Sequence, residues 1–282
     1  MRRALILLLV MALTGAGYYL LTPSGRQLID RVSINWTRAE YQARFGAGER
    51  LPGTPDLARL DERLASHGAK LGVPVYLRIF KLESELELWI EKDDRFVRLA
   101  TYPICRWSGR LGPKLKEGDL QAPEGFYTVA AEQLNPNSLM HRSFSLGFPN
   151  AFDQAHGRTG SFLMVHGGCA SHGCYAVTDP VIDEIWRLVT AALDQGQARF
   201  PVHVFPFRMT DLNVRLRRGQ RWDGFWADLK KGYDLFEQSR VPPLVRVCKG
   251  RYVFEAGSLE SVSQQVEEHC PPEVAGSSRN PG

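Results

Sequence analysis

The composition of the chain predicts a folded protein and excludes two broad classes. Of its 282 residues, 44% are hydrophobic and 10% aromatic, which is enough to bury a core and excludes a disordered protein. The formal net charge is only +4 and no basic run is interleaved with aromatic residues, so we expect no nucleic-acid partner. Length alone predicts one or two domains.

The first residues indicate export. Arg2 and Arg3 precede a run without charged residues over positions 4–21, the pattern of a secretory signal peptide or an uncleaved membrane anchor. We assign residues 1–22 to this segment and leave both interpretations open, because small residues at 14–17 favour cleavage whereas apolar sequence continues beyond them. Any contact with a membrane is expected through this segment only.

Residues 23–72 predict a helical extension ahead of the main body. Positions 24–44 are polar with scattered apolar residues, which is typical of a helix or of a stalk that holds the body away from a membrane. A second helix is expected after residue 54, where Thr-Pro-Asp forms a start signal. Its apolar face consists of Leu57, Leu60 and Leu64.

From residue 74 the hydrophobic pattern has a period of two, which predicts β-strands. Three antiparallel strands are expected first, and shorter strands follow. The predicted strands cover residues 75–80, 85–91, 96–102, 126–129, 162–165 and 201–207. A Gly- and Pro-rich stretch at 108–127 predicts a long functional loop, and positions 135–159 predict irregular structure.

The clearest helix is predicted over residues 180–193, where capping residues precede apolar residues at helical spacing. We expect residues 212–282 to form a C-terminal extension. It contains an aromatic helix that packs on the core, a strand pair over 246–254 and a tail of low hydrophobicity from 271. Together these elements predict a mainly β protein with packed helices, of the α+β class.

The chemistry is concentrated in residues 162–180, with the sequence FLMVHGGCASHGCYAVTDP. A buried strand is followed by a loop with two histidines, two cysteines and three glycines, and then by a helix start. Cys174 is the candidate nucleophile because imidazoles, a helix N-terminus or a cation within reach would favour its thiolate. The backbone amides of Gly173, Cys174 and Tyr175 are candidates for an oxyanion pocket.

Other uses of these residues are open. Ligand spacing in the loop does not compose a closed tetrahedral site, so we expect no metal and no cofactor. Five cysteines leave at least one unpaired. Cys248 and Cys270 could pair, Cys105 is a further candidate, and Cys169 is a small buried residue, half of a disulfide, or a partner that inactivates Cys174 on oxidation.

At these residues the sequence resembles the L,D-transpeptidase catalytic (YkuD) domain family, and within it the YafK-like branch. The resemblance covers residues 73–211 and includes SHGC preceded by HG, the longer match HGGCASHGCYAVTD, and FPFRMTD. It implies a β-sandwich with a packed helix, a periplasmic location and no cofactor. It also implies Cys174 as nucleophile and His166 as catalytic histidine, with Ser171 and Gly173 shaping the loop and His172 on a histidine position of the motif.

The resemblance implies a reaction at peptidoglycan stem peptides. Cys174 would form a thioacyl-enzyme that an amine resolves to a crosslink, in L,D-transpeptidation, or that water hydrolyses. The alternatives are an L,D-endopeptidase or amidase, for example releasing a wall-bound lipoprotein, and a non-catalytic protein that binds the cell wall. Arg158, Lys114 and Arg106 are candidates for pairing with substrate carboxylates.

Overall fold

Two five-stranded sheets share one hydrophobic core in the computed structural model, which describes residue 19 and residues 22–271. The first sheet has the order β3-β2-β1-β10-β5 and the second β4-β9-β8-β7-β6. The strands of the first are β1 (Val75–Phe80), β2 (Glu85–Lys92), β3 (Arg95–Pro103), β5 (Gly125–Val129) and β10 (Phe200–Phe205). Those of the second are β4 (Arg106–Trp107), β6 (Leu134–Ser138), β7 (His141–Ser145), β8 (Met164–His166) and β9 (Tyr175–Ala176).

Helices cover the sheets on both sides. They are α1 (Pro23–Gly46), α2 (Leu60–Ser66), α3 (Ala151–Ala155), α4 (Asp179–Asp194), α5 (Asp211–Arg215) and α6 (Asp223–Ser239), with short 3-10 turns at Leu57–Arg59 and Ala131–Gln133. A strand pair, β11 (Leu244–Cys248) with β12 (Arg251–Glu255), follows α6. The architecture confirms the predicted α+β class and the β-sandwich with packed helices.

The first sheet is buried on both faces, because the alternating residues of β1 enter two different cores. Leu77 and Ile79 pack in the cluster shared with the second sheet and α4. Tyr76 and Phe80 point the other way, where they meet aromatic residues of α6. Strand β1 therefore carries apolar side chains on both of its faces, as expected for a central strand.

Helix α4 was predicted from the helical spacing of its apolar residues. Its apolar face is buried as expected (Val181, Ile185, Leu188, Val189 and Ala192). Helix α1 was also predicted, as a helix or a stalk that holds the body away from a membrane, and the structure shows it packed on the body. Ile34 lies in the core, and Asp30 forms a buried ion pair with Arg217, with Oδ1 2.7 Å from Nη2. These contacts fix α1 to the body.

Residues 135–159 are more regular than predicted, because they contain β6, β7 and α3. β6 is mostly exposed and includes Pro136, so it lacks the buried alternation that marks a strand. The predicted signal or anchor lies almost wholly outside the described residues, as does most of the C-terminal tail. In the described part of the chain, no helix is both long and apolar enough to span a membrane.

Candidate active site

The candidate site lies at the junction of β8 and β9, neighbouring parallel strands of the second sheet. Val165 is in register with Tyr175, and His166 with Ala176. Because side chains alternate along a strand, Val165 and Tyr175 face the core, while His166 and Ala176 face the other side. Cys174 directly precedes β9, so the free thiol stands at the start of one strand and His166 at the end of its neighbour.

His166 is held by the carbonyl group that follows it. Its ring is buried at 2% exposure, and Nδ1 lies 2.6 Å from the carbonyl oxygen of Gly167. Since a carbonyl oxygen only accepts hydrogen bonds, Nδ1 carries the proton in this contact and Nε2 is left as the basic nitrogen. Burial lowers the pKa of His166, and the Gly167 hydrogen bond partly opposes this effect.

Cys174 is almost buried, at 9% exposure, and its thiol donates a hydrogen bond to the carbonyl oxygen of Phe162 at 3.3 Å. Burial raises the pKa of the Cys174 thiol, while a hydrogen bond from the Met164 backbone and the charge of Lys114 oppose the rise. Both shifts favour the uncharged forms, a thiol and a neutral imidazole.

The loop between the two strands is fastened at several points. The Ser171 hydroxyl donates to the carbonyl oxygen of Cys174 at 2.7 Å, and the Gly168 amide donates to Asp179 Oδ1 at 2.7 Å. Gly173 has φ +125°, where a side chain would be strained and would also meet Leu163. Asp179 opens α4, so the helix that follows the loop also holds it in place.

Two disulfides account for four of the five cysteines, and Cys174 is the free one. Cys105 pairs with Cys169, with their Cα atoms 5.3 Å apart, and Cys248 pairs with Cys270. The hypothesis that Cys169 inactivates Cys174 by forming a disulfide with it is wrong for this structure, because Cys169 is already paired with Cys105. That disulfide joins the site loop to the segment before β4.

Two of the cationic side chains predicted to bind substrate form ion pairs within the protein. Lys114 is buried, and its Nζ is 2.6 Å from Asp119 Oδ1. Arg158 is buried against Asp153, with Nη1 2.7 Å from Oδ1. Lys114 thus pairs with a half-buried carboxylate and Arg158 with a buried one, and their expected role in binding a substrate carboxylate stays a prediction.

The remaining candidates differ in position. Arg106 is half-buried in β4 and in register with Ala176, so it lies on the sheet face of His166. His172 is exposed on the loop. Tyr175 points into the core, where its hydroxyl donates to the Pro123 carbonyl oxygen at 2.5 Å, so only its backbone amide is a candidate for the oxyanion pocket.

Sequence reasoning missed two features of the site. One is the Gly167 carbonyl that orients His166, since a backbone acceptor has no residue type to signal it. The other is Phe162, which was assigned to a buried strand but is 80% exposed at φ +54° beside the thiol. Within the described residues, no group of three or more His, Cys, Asp or Glu side chains is placed to hold a metal ion.

A buried free thiol at the start of β9 and an oriented imidazole at the end of the adjacent β8 form a candidate site of the cysteine-nucleophile class. The model of the L,D-transpeptidase catalytic domain (YkuD) matches residues 80–204. The putative L,D-transpeptidase YafK of Escherichia coli K12 is 49% identical over 194 residues, which cover 69% of this chain and 79% of the relative. The chain therefore belongs to the L,D-transpeptidase catalytic domain family.

Two solved structures are also similar to the chain. The helical cell shape determining protein Pgp2 of Campylobacter jejuni has a TM-score of 0.39 at 19% identity, over 64% of this chain and 65% of that one. Bd1075 of Bdellovibrio bacteriovorus has a TM-score of 0.35 at 15% identity, over 61% of this chain and 76% of that one.

Proposed function

We propose that this protein transfers the acyl group of a peptidoglycan stem peptide through a thioacyl-enzyme on Cys174. The single observation that carries the proposal is the position of Cys174, the free cysteine, at the start of β9, next to the strand β8 that ends at His166, whose Nδ1 is engaged by Gly167. The family to which the chain belongs supports peptidoglycan as the substrate class.

The proposed reaction starts with proton transfer from Cys174 Sγ to His166 Nε2. The sulfur attacks the amide carbonyl at the L-centre of diaminopimelate, and a tetrahedral oxyanion forms. The carbon–nitrogen bond then breaks, Nε2 returns the proton to the leaving amine, and a thioester remains on Cys174. An incoming amine attacks this thioester and gives up a proton to Nε2. The carbon–sulfur bond then breaks, the thiolate of Cys174 takes that proton back from Nε2, and a new amide and the free thiol result.

We assign the oxyanion to backbone amides of the loop, with those of Gly173, Cys174 and Tyr175 as the candidates. The positive φ of Gly173 and the hydrogen bond from Ser171 to the Cys174 carbonyl support a fixed loop conformation. Preorganised donors of this kind contribute about 3–4 kcal/mol each in other acyl-transfer enzymes. Arg106 is the proposed partner for a substrate carboxylate, since it shares the sheet face of His166.

Water in place of the amine would make the protein an L,D-endopeptidase or amidase, for example one that releases a wall-bound lipoprotein. We further propose a periplasmic location, anchored or free after cleavage of the N-terminal segment. The two disulfides support this location, because disulfides persist in oxidising compartments.

The experiment is incubation of the protein with purified muropeptides, followed by mass analysis of the products, beside a Cys174→Ala control. Crosslinked products that need Cys174 are the expected result. Cleaved products alone would replace transpeptidation by hydrolysis at the same thiol. Unchanged muropeptides, together with retained binding to peptidoglycan, would favour the non-catalytic wall-binding protein and contradict the proposal.

A further inference from the structure

A cleft lies beside the candidate active site, between α1, the loop that follows β4, and the start of α6. Its volume is about 650 Å³. Most of its lining comes from segments outside residues 80–204, which match the catalytic domain. The cleft is therefore formed jointly by the extensions of the chain and by one loop of the catalytic domain.

The cleft carries unbalanced positive charge. The cleft is lined by four arginines, Arg31, Arg38, Arg110 and Arg221. Within the described residues, none of them has a carboxylate at ion-pair distance. The two acidic residues in the lining are already engaged. Asp30 binds Arg217 through both oxygens, and Asp119 accepts from Lys114 and from three backbone amides.

Arg38 has no carboxylate at ion-pair distance within the described residues. It is half-buried over the Trp107 ring, 4.2 Å from its centroid, its Nη2 donates to the Gly109 carbonyl oxygen at 3.0 Å, and its Nε has no hydrogen-bond partner. Burial and the neighbouring charge of Arg106 lower the pKa of Arg38 to about 10. A guanidinium that is partly desolvated without a counter-ion favours an anionic ligand.

One wall of the cleft is aromatic and fixed. The Trp222 indole packs so closely on Gly112 that a Cβ there would lie 2.4 Å from Nε1. The Arg221 guanidinium lies over the same ring, 4.5 Å from its centroid. A flat apolar wall next to forked cations suits a peptide with carboxylates more than a small inorganic anion.

The cleft and the thiol are neighbours across one loop. Gln121 lines the cleft, and its carbonyl oxygen is 3.8 Å from the position that a Cβ would take at Gly173. Gly173 directly precedes Cys174. A polymer with repeated peptide branches could therefore occupy the cleft with one branch while another reaches the thiol.

We propose that this cleft binds carboxylate-bearing peptide stems of peptidoglycan, next to the stem on which Cys174 acts. The inference rests on the proposed function for its choice of polymer. The cleft supplies affinity for the polymer and takes no part in the chemistry. It therefore lowers KM for polymeric substrate and leaves kcat unchanged.

The test measures binding separately from turnover. Full-length Cys174→Ala protein is mixed with purified insoluble peptidoglycan, and the bound fraction is measured at low and high salt. The cleft variant combines Arg31→Gln, Arg110→Gln and Arg221→Gln, all at exposed positions. The matched control is Arg95→Gln, an exposed arginine at the start of β3 that does not line the cleft. Circular dichroism and thermal melting show whether each variant is folded.

We expect the cleft variant to bind about ten-fold more weakly than the control, since three exposed ion pairs of modest strength are lost. Binding of the parent protein should fall with salt and with conversion of peptidoglycan carboxylates to methyl amides. In the Cys174 enzyme, the cleft variant should show a raised KM for polymer and an unchanged KM for a single-stem muropeptide.

Three outcomes would overturn the inference. The first is equal binding of the cleft variant and the Arg95→Gln control to peptidoglycan, and the second is equal binding of the parent protein to amidated and native peptidoglycan. The third is a cleft variant that loses binding to anionic phosphatidylglycerol vesicles but keeps its binding to peptidoglycan, which would assign the arginines to a lipid surface. If no muropeptide is turned over, the proposed function fails, but the binding comparison still decides whether the cleft recognises carboxylates.

Discussion

Burial decides the protonation of the two central side chains. It raises the pKa of the Cys174 thiol and lowers the pKa of the His166 imidazole, so both favour their uncharged forms. Lys114 opposes the shift at the thiol, but its charge is shared with Asp119. These directions favour the proposed proton transfer during attack over a resting thiolate–imidazolium pair.

The pH dependence follows from these directions. His166 must be neutral to act as base, and because its pKa is lowered from 6.5, the neutral form persists to lower pH. We expect kcat/KM to have an acid limb with a midpoint below pH 6.5. Alkylation of Cys174 by iodoacetamide should be half-maximal above pH 9.0, since its pKa is raised from that value.

Both profiles can be measured on one preparation, with His166→Gln as the control for the acid limb. Half-maximal alkylation near pH 6 would contradict the account, because it would indicate a preformed thiolate.

Single elements position the site from outside the catalytic domain. Helix α1 reaches the site loop, where the Gln42 side-chain amide donates to the Cys169 carbonyl oxygen at 2.9 Å. The same helix is fixed at its other end by Asp30 and Arg217, which are 4% and 0% exposed. The Cys105–Cys169 disulfide provides a second attachment for the loop.

Breaking the buried ion pair should detach α1. Asp30→Asn leaves the charge of Arg217 buried without its partner, so we expect a loss of about 3–5 kcal/mol in the free energy of unfolding. Urea denaturation measures this loss. The control is Glu49→Gln, which removes an exposed ion pair with Arg44 and should cost less than about 1 kcal/mol. Equal effects of the two substitutions would show that α1 does not depend on the buried pair.

The two disulfides should have separable effects. Removing Cys105–Cys169 by a double substitution to serine should cost about 2–4 kcal/mol of stability and also lower kcat, because the site loop loses an attachment. Removing Cys248–Cys270 in the same way should cost stability but leave kcat unchanged. Unfolding curves and initial rates on muropeptides test both. An unchanged kcat in the Cys105–Cys169 variant would argue against a positioning role.

At the scale of the whole molecule, elements with a strong local pattern were predicted from the sequence, whereas β6, β7, α3 and the contacts between distant segments were not. The strands of the first sheet and α4 have alternating or helical apolar patterns, so they were found. The docking of α1 was missed because it depends on Asp30 and Arg217, which are 187 residues apart.

The residues of the candidate site were likewise predictable where a local sequence pattern marks them. Cys174 and His166 stand in a conspicuous loop, and the family resemblance is now supported by the matches to known proteins. The partners of Lys114 and Arg158 were not predictable, because pairing of charges depends on the fold. The arginine-lined cleft also escaped detection, since its lining comes from three separate segments.

The most direct test of the account is the intact mass of the full chain, trapped during turnover of purified muropeptides and followed by peptide mapping. We expect a mass increase equal to one acyl fragment of the stem peptide, located on Cys174 and labile to hydroxylamine as a thioester. The Cys174→Ala protein should show no increase. Muropeptide turnover by Cys174→Ala at the parent rate, or an adduct on any residue other than Cys174, would contradict the central claim.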